Sequence, residues 1–121
     1  LKHVFGASPG EIASSAGQLA KMILQSDAGP RADAPKLLLV CPPAVGDMSQ
    51  APDIADKFPD GAARSRRLPA RYAEAAAQLG CAFINAQDIV TPSSHDGIHL
   101  EAGEHGKLGR AVAERILSLL P

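Results

Sequence analysis

The order of segments in this chain, helix, strand, helix, strand, helix, predicts an α/β domain with a parallel sheet. Two observations carry that reading. The run Leu37-Leu38-Leu39-Val40-Cys41 is apolar at every position, the pattern of a central parallel strand covered on both faces rather than of an alternating edge strand. Segments 9–25 and 101–119 flank the strands with apolar residues at helical spacing, so each can lay one face on a sheet.

Taken in order, residues 1–7 read as irregular, and Ser8-Pro9-Gly10-Glu11 then forms a capping box, with Pro9 at the first helical position. In the helix 9–25, Ile12, Ala16, Leu19, Ala20 and Ile23 make the stripe expected to face the sheet. A turn-rich connection over 27–35 leads to the strand 37–41, which Pro42-Pro43 ends. Residues 44–63 show no clear periodicity, and a stretch of that length between elements is usually functional or disordered. An alanine-rich helix is expected over 63–79, closed by Gly80. Arg64, Arg67 and Arg71 share one of its faces, read as a solvated or inter-subunit salt-bridge patch. The strand 81–85 follows, then a loop, and the helix 101–119 with Leu108, Val112, Ile116 and Leu119 as its packing stripe. Gly103, Gly106 and Gly109 follow a loop and not a strand, which argues against a phosphate-binding turn and for close backbone packing.

Composition narrows the function. With 45% apolar residues in 121 the chain can build a real core. Its 12 basic and 13 acidic residues leave a net charge of −1, so no global field draws it to nucleic acid or an anionic membrane. The aromatic residues, Phe5, Phe58, Tyr72 and Phe83, are too few for a base-stacking surface. No apolar run approaches the ~20 residues of a membrane span, and no signal-peptide pattern is present. Cys41 and Cys81 make neither a disulfide framework nor a zinc spacing. They sit at opposite ends of neighbouring parallel strands, beyond the ~7 Å Cα separation of a bridge.

Chemistry concentrates in Ser94-His95-Asp96-Gly97-Ile98-His99-Leu100. A carboxylate three residues before an imidazole can accept a hydrogen bond from Nδ1–H, fixing the tautomer while Nε2 faces a nucleophile. Gly97 permits the tight, positive-φ turn that lets Asp96 and His99 converge. Two other readings stay open. Asp96 can be an Asx-turn residue with His99 merely opening the next helix. Alternatively His95, Asp96 and His99 can serve as metal ligands of a metal-dependent hydrolase, although Gly97 and the preceding Thr91-Pro92-Ser93-Ser94 argue against the helix that would align them.

Asp96-Gly97-Ile98-His99-Leu100, followed by residues 101–109 and an apolar helix, resembles the last sequence block of the SGNH (GDSL) ester hydrolases, most closely their small bacterial arylesterase and acyltransferase branch. Leu37-Leu38-Leu39-Val40-Cys41-Pro42-Pro43 resembles that branch's strand ending in a proline pair. The resemblance covers essentially the whole chain, but only the C-terminal part of such a protein. It implies the last two strands and three helices of a flavodoxin-like three-layer α/β/α sandwich with a parallel sheet. The implied activity is that of a serine esterase, an arylesterase or carboxylesterase able to transfer acyl groups to alcohols, without a cofactor or metal. His99 would be its base and then acid, and Asp96 the orienter of that imidazole. The nucleophile, the oxyanion glycine and a G-x-N-D block would lie on an N-terminal segment, carried by a second chain or by a preceding, untraced part of the same one. Residues 1–121 are then one part of a single domain, expected to be neither active nor well folded alone.

The same resemblance implies a small ester substrate, with Ile98, Ile54 and Phe58 as candidate pocket residues, and a homo-oligomer in the bacterial cytoplasm, an export signal upstream being left open. Gly46-Asp47-Met48-Ser49 looks like a serine block with a methionine inserted, but it follows a later strand and its proline pair, so Ser49 is a poor nucleophile candidate. The rival to an enzyme is a binding module that keeps the final block without its chemistry.

Overall fold

Residues 6–120 are described by a computed structural model, and Ser8 opens its first helix as the capping box requires. Glu11 N–H donates to Ser8 Oγ at 3.2 Å, and Ser8 N–H donates to the Glu11 carboxylate at 2.7 Å. Two orphan donors are thereby satisfied, and α1 runs over Pro9–Leu24. Its packing keeps Ile12, Ala16 and Ala20 of the expected stripe but not Leu19 and Ile23, and adds Ala13. Ala13 and Ala20 are buried, whereas Leu19 is 63% and Ile23 46% exposed. The reason is its partner. α1 lies against another helix, α4 (Leu68–Leu79), along small residues; a methyl on Gly17 would sit 3.5 Å from Ala75 Cβ. Bulky residues fall to the side of so close a line of contact.

The sheet has two parallel strands among the described residues, β1 (Leu38–Cys41) and β2 (Ala82–Asn85), paired Leu38 with Ala82 through Cys41 with Asn85. Alternation sends Leu39, Cys41 and Phe83 to one face. There they meet Ala13, Leu68 and Tyr72 in the core, with Ile12 and Ala16 packed against it. Ile84 points to the other face and, with Ile89, forms a groove along Ala111 and Arg115 of the last helix. Leu38, Leu39 and Val40 remain only half-buried, so the expected cover on both faces of β1 is not reached. Among the described residues β1 pairs along one edge only.

Between the strands, residues 42–51 are irregular, and two short helices follow, α2 (Pro52–Ala55) and α3 (Gly61–Ser65). The single helix expected over 63–79 is therefore two, broken at Arg66 and Arg67. Pro69 is the cause: it has no N–H to give the carbonyl of Ser65. That carbonyl instead accepts from Gln87 Nε2 at 2.8 Å, which ties α3 to the turn after β2. Gly80 ends α4 in the left-handed region at φ +65, as the sequence indicated.

The last helix, α5, spans Ala102–Leu119. Leu108, Val112 and Leu119 of the expected stripe are half-buried, but Ile116 is 43% exposed. Gly103 and Gly109 do not serve close packing, because a methyl on either would meet nothing within 4 Å, and one on Gly106 would meet Arg110 Nη1 of the same helix at 3.5 Å.

Cys41 and Cys81 are both free thiols. Burial pushes the Cys41 thiol up to about 12, with the charge of Asp88 adding to it, and also raises that of Cys81, which is only half-buried. Since the thiolate is the reactive form, alkylation of the folded protein near neutral pH should modify Cys81 at least roughly ten times faster than Cys41. Both should titrate at once in denaturant; peptide mapping of the modified chain checks the order.

Candidate active site

Two parallel strands in register end side by side, so the segments leaving Cys41 and Asn85 emerge at one edge of the sheet, where open α/β sheets carry their sites. After β2, Asn85 Oδ1 accepts from Gln87 N–H at 3.2 Å and caps the short 3-10 turn Ala86–Asp88. The chain then reaches buried Ser93, whose backbone closes the D-G-I-H turn: Ser93 N–H donates to His99 O at 2.7 Å, and Gly97 N–H donates to Ser93 O at 2.8 Å. Its hydroxyl donates to Glu101 Oε1 at 2.5 Å and accepts from His95 N–H at 3.1 Å. Glu104 holds the same loop through Thr91 N–H at 2.8 Å. The first turn of α5 thus anchors the turn through two carboxylates.

Inside the turn one carboxylate does two things. Asp96 Oδ1 accepts from the backbone N–H groups of Ile98 and His99, each at 2.9 Å, while Oδ2 lies 2.5 Å from His99 Nδ1. The Asx turn and the carboxylate–imidazole pair, alternatives in the sequence, are one arrangement. The hydrogen bond to the imidazole, followed by the two backbone N–H groups, holds the Asp96 carboxyl at about 2, well below its ordinary value. The Asp96 side chain is 19% exposed and the His99 ring 77%. With Nδ1 committed to the carboxylate, the exposed ring presents Nε2 outward.

Gly97 sits at φ +70, and its carbonyl accepts from Gly46 N–H at 2.7 Å. A methyl on Gly97 would lie 2.5 Å from Asp47 O, and one on Gly46 would lie 2.7 Å from Pro92 Cγ. The loop after β1 and the turn after β2 interlock here through a backbone hydrogen bond and close glycine contacts. This contact was missed from sequence, and the only signal for it was a lone glycine in each of two distant loops.

The other candidates fall elsewhere. His95 and His105 are exposed, and His95 joins the network through its backbone. Among the described residues no three His, Cys, Asp or Glu side chains gather as a metal site would require. Ser49 Oγ donates to Asp47 Oδ2 at 3.0 Å, and its N–H donates to Asp47 Oδ1 at 2.9 Å, a local turn. Ile98 lines a cavity of about 220 Å³ together with Ile12, Pro42, Pro43, Val45 and Leu68. Ile54, half-buried in α2, and Phe58, buried in the link between α2 and α3, lie outside its walls. Arg64 points into the protein, with Nη2 donating to Ala7 O at 2.6 Å, while Arg71 pairs with Glu74 on the surface at 3.0 Å. The expected arginine face is therefore divided. Among the described residues no helix is long and apolar enough to cross a membrane.

Because Asp96 titrates lower folded than unfolded, its contribution to stability is complete above the unfolded value near 4 and is lost as pH falls toward about 2. Carboxyl NMR of Asp96 should show a midpoint near 2, moving up toward the model-peptide range in His99→Ala. Gly97→Ala, which meets both an unfavourable φ and the Asp47 carbonyl, should destabilise the fold by about 2 kcal/mol or more in denaturant melts.

No protein-family model and no curated protein sequence matches the chain. Solved structures do. A carbohydrate acetylesterase from Sinorhizobium meliloti superposes with a TM-score of 0.87 at 32% identity, over 96% of this chain and 54% of that one. The aryl esterase of M. smegmatis gives 0.87 at 30% identity, over 96% and 54%. A protein described as an arylesterase from Agrobacterium tumefaciens gives 0.76 at 30%, over 98% and 56%. The chain spans about half the length of each. Its resemblance to the SGNH (GDSL) esterases, confined to a part consistent with their C-terminal half, is thereby shown in structure as well as in motif.

Proposed function

We propose that this chain supplies the Asp96–His99 pair of a serine ester hydrolase of the SGNH type, acting on small aryl or alkyl esters. The observation that carries the proposal is Asp96 Oδ2 at 2.5 Å from His99 Nδ1, in a turn that leaves the ring 77% exposed at the sheet's C-terminal edge. Esterase relatives in structure support the reaction class. The serine and the oxyanion donors belong in this reading to a preceding segment, with which the two strands complete a flavodoxin-like α/β/α sandwich along the open edge of β1.

The steps follow from the geometry. His99 Nε2 takes the proton of the serine hydroxyl as its oxygen adds to the ester carbonyl. The imidazolium is stabilised by Asp96, which stays ionised. It returns the proton to the leaving alkoxide as the C–O bond breaks and the acyl-enzyme forms. Water, or a second alcohol, then gives its proton to Nε2 and attacks the acyl carbonyl; the bond from that carbonyl to the serine oxygen breaks, the imidazolium returns the proton to this oxygen, and acid or a new ester leaves.

In the polypeptide joined to its serine-bearing segment, His99→Ala should lower kcat for phenyl acetate by three orders of magnitude or more, and Asp96→Asn by roughly two to four. His95→Ala and His105→Ala should change it by less than about threefold. Equal losses for His95→Ala and His99→Ala would overturn the assignment. So would a chain that hydrolyses the ester by itself and is labelled by a phosphonate at Ser49.

A further inference from the structure

The cavity below Ile98 is almost wholly apolar, walled by Ile12, Pro42, Pro43, Val45, Leu68 and Ile98, and polar side chains reach its wall at Ser65 and Arg64. Ser65 has nothing left to offer a ligand as a donor. Its hydroxyl accepts from Val45 N–H at 2.9 Å and donates to Ala62 O at 3.0 Å. Arg64 is different. Nη2 donates to Ala7 O at 2.6 Å, but Nε is shut off from solvent and has no hydrogen-bond partner among the described residues.

Nor does this guanidinium have an ion-pair partner there, since the pairs among the described residues are Arg71–Glu74, Lys107–Glu104 and His99–Asp96. Glu11 feels its charge but is committed to Ser8 through the capping box. A half-buried cation with an unsatisfied buried donor is costly to keep unless something negative arrives. The planar fork of arginine matches a carboxylate in two-point geometry.

We propose that this cavity binds a short apolar chain ending in a carboxylate, with Arg64 as the residue that recognises it. The inference rests on the esterase reading and narrows its substrate class. Ile98 both lines the cavity and stands in the chain between Asp96 and His99, and in the proposed mode the acyl arm of an ester held at the imidazole lies past Ile98 in the cavity. The preferred substrates are half-esters of short dicarboxylic acids. Their free acid end meets Arg64, and their methylenes lie against the prolines, Val45 and Leu68.

The test compares the half-ester phenyl hydrogen glutarate with phenyl hexanoate, its neutral counterpart, in the complete polypeptide. Each protein is judged by its own ratio of kcat/KM for the two esters, which cancels general damage to the fold. The wild-type ratio should exceed that of Arg64→Met by about tenfold or more, the loss of one charge-assisted contact. Arg64→Lys, which keeps the charge without the fork, should fall between them and shows that the site tolerates replacement. Equal ratios in wild type and Arg64→Met overturn the inference while leaving the esterase reading intact, provided both esters are cleaved in a His99-dependent manner. If neither is cleaved, the esterase reading fails, and binding decides the cavity separately. Glutarate mono-methylamide should then shift the methyl resonances of Ile98 and Leu68 with at least tenfold weaker affinity in Arg64→Met, and no shift in the wild type sinks the proposal.

Discussion

Everything at the candidate site depends on how the carboxylate of Asp96 is divided. One oxygen takes the backbone N–H groups of Ile98 and His99, which fixes the turn; the other takes Nδ1 of His99, which fixes the ring. One residue does both jobs here because the chain doubles back within three residues. Gly97 makes that possible at φ +70. The result is an imidazole aimed by a charge that is itself held in place by two amides. A carboxylate accepting several hydrogen bonds stays ionised far below its ordinary range, which suits a group meant to stabilise an imidazolium without taking up its proton.

The turn is in turn held by the ends of the sheet. Parallel pairing in register brings the exits of β1 and β2 together, so the loop after Pro42-Pro43 can touch the turn after Asp88. Gly46 N–H to Gly97 O is that contact, and neither glycine has room for a methyl. From the other side, Glu101 and Glu104 at the start of α5 hold Ser93 and Thr91. Lys36 Nζ donates to Leu119 O, linking the start of β1 to the far end of the same helix. The long helix is thus held by tethers at its two ends, the first of them at the site, while part of its apolar stripe remains exposed.

What could be read in the sequence was local. The capping box at Ser8, the stop at Gly80 and the pairing of Asp96 with His99 each depend on residues within a few positions of one another, where spacing alone settles geometry. The break before Pro69 was also readable, since proline denies a bond to the carbonyl four residues earlier, but the alanine-rich run concealed it. What could not be read was which surfaces meet. The face α1 turns to α4 follows from the small residues of both helices, and periodicity in α1 alone favoured Leu19 and Ile23 over Ala13. The half-exposed β1 departs from its apolar pattern for a related reason: composition says how much surface a strand would like to cover, not how many neighbours cover it.

Arg64 shows the same limit from the side of chemistry. In sequence it was one of three basic residues at helical spacing, and such a run is ordinarily a solvated face. The interruption of that helix puts it in a different element from Arg67 and Arg71. Pro69 begins α4 afresh, leaving Arg64 in α3, where Gln87 clamps the neighbouring carbonyl and the guanidinium reaches Ala7 and the cavity wall. A single proline thus decides whether this charge faces water or lines the space beside the D-G-I-H turn. The helix break and the polar feature of the cavity are one event in the fold, and any specificity that Arg64 confers depends on it.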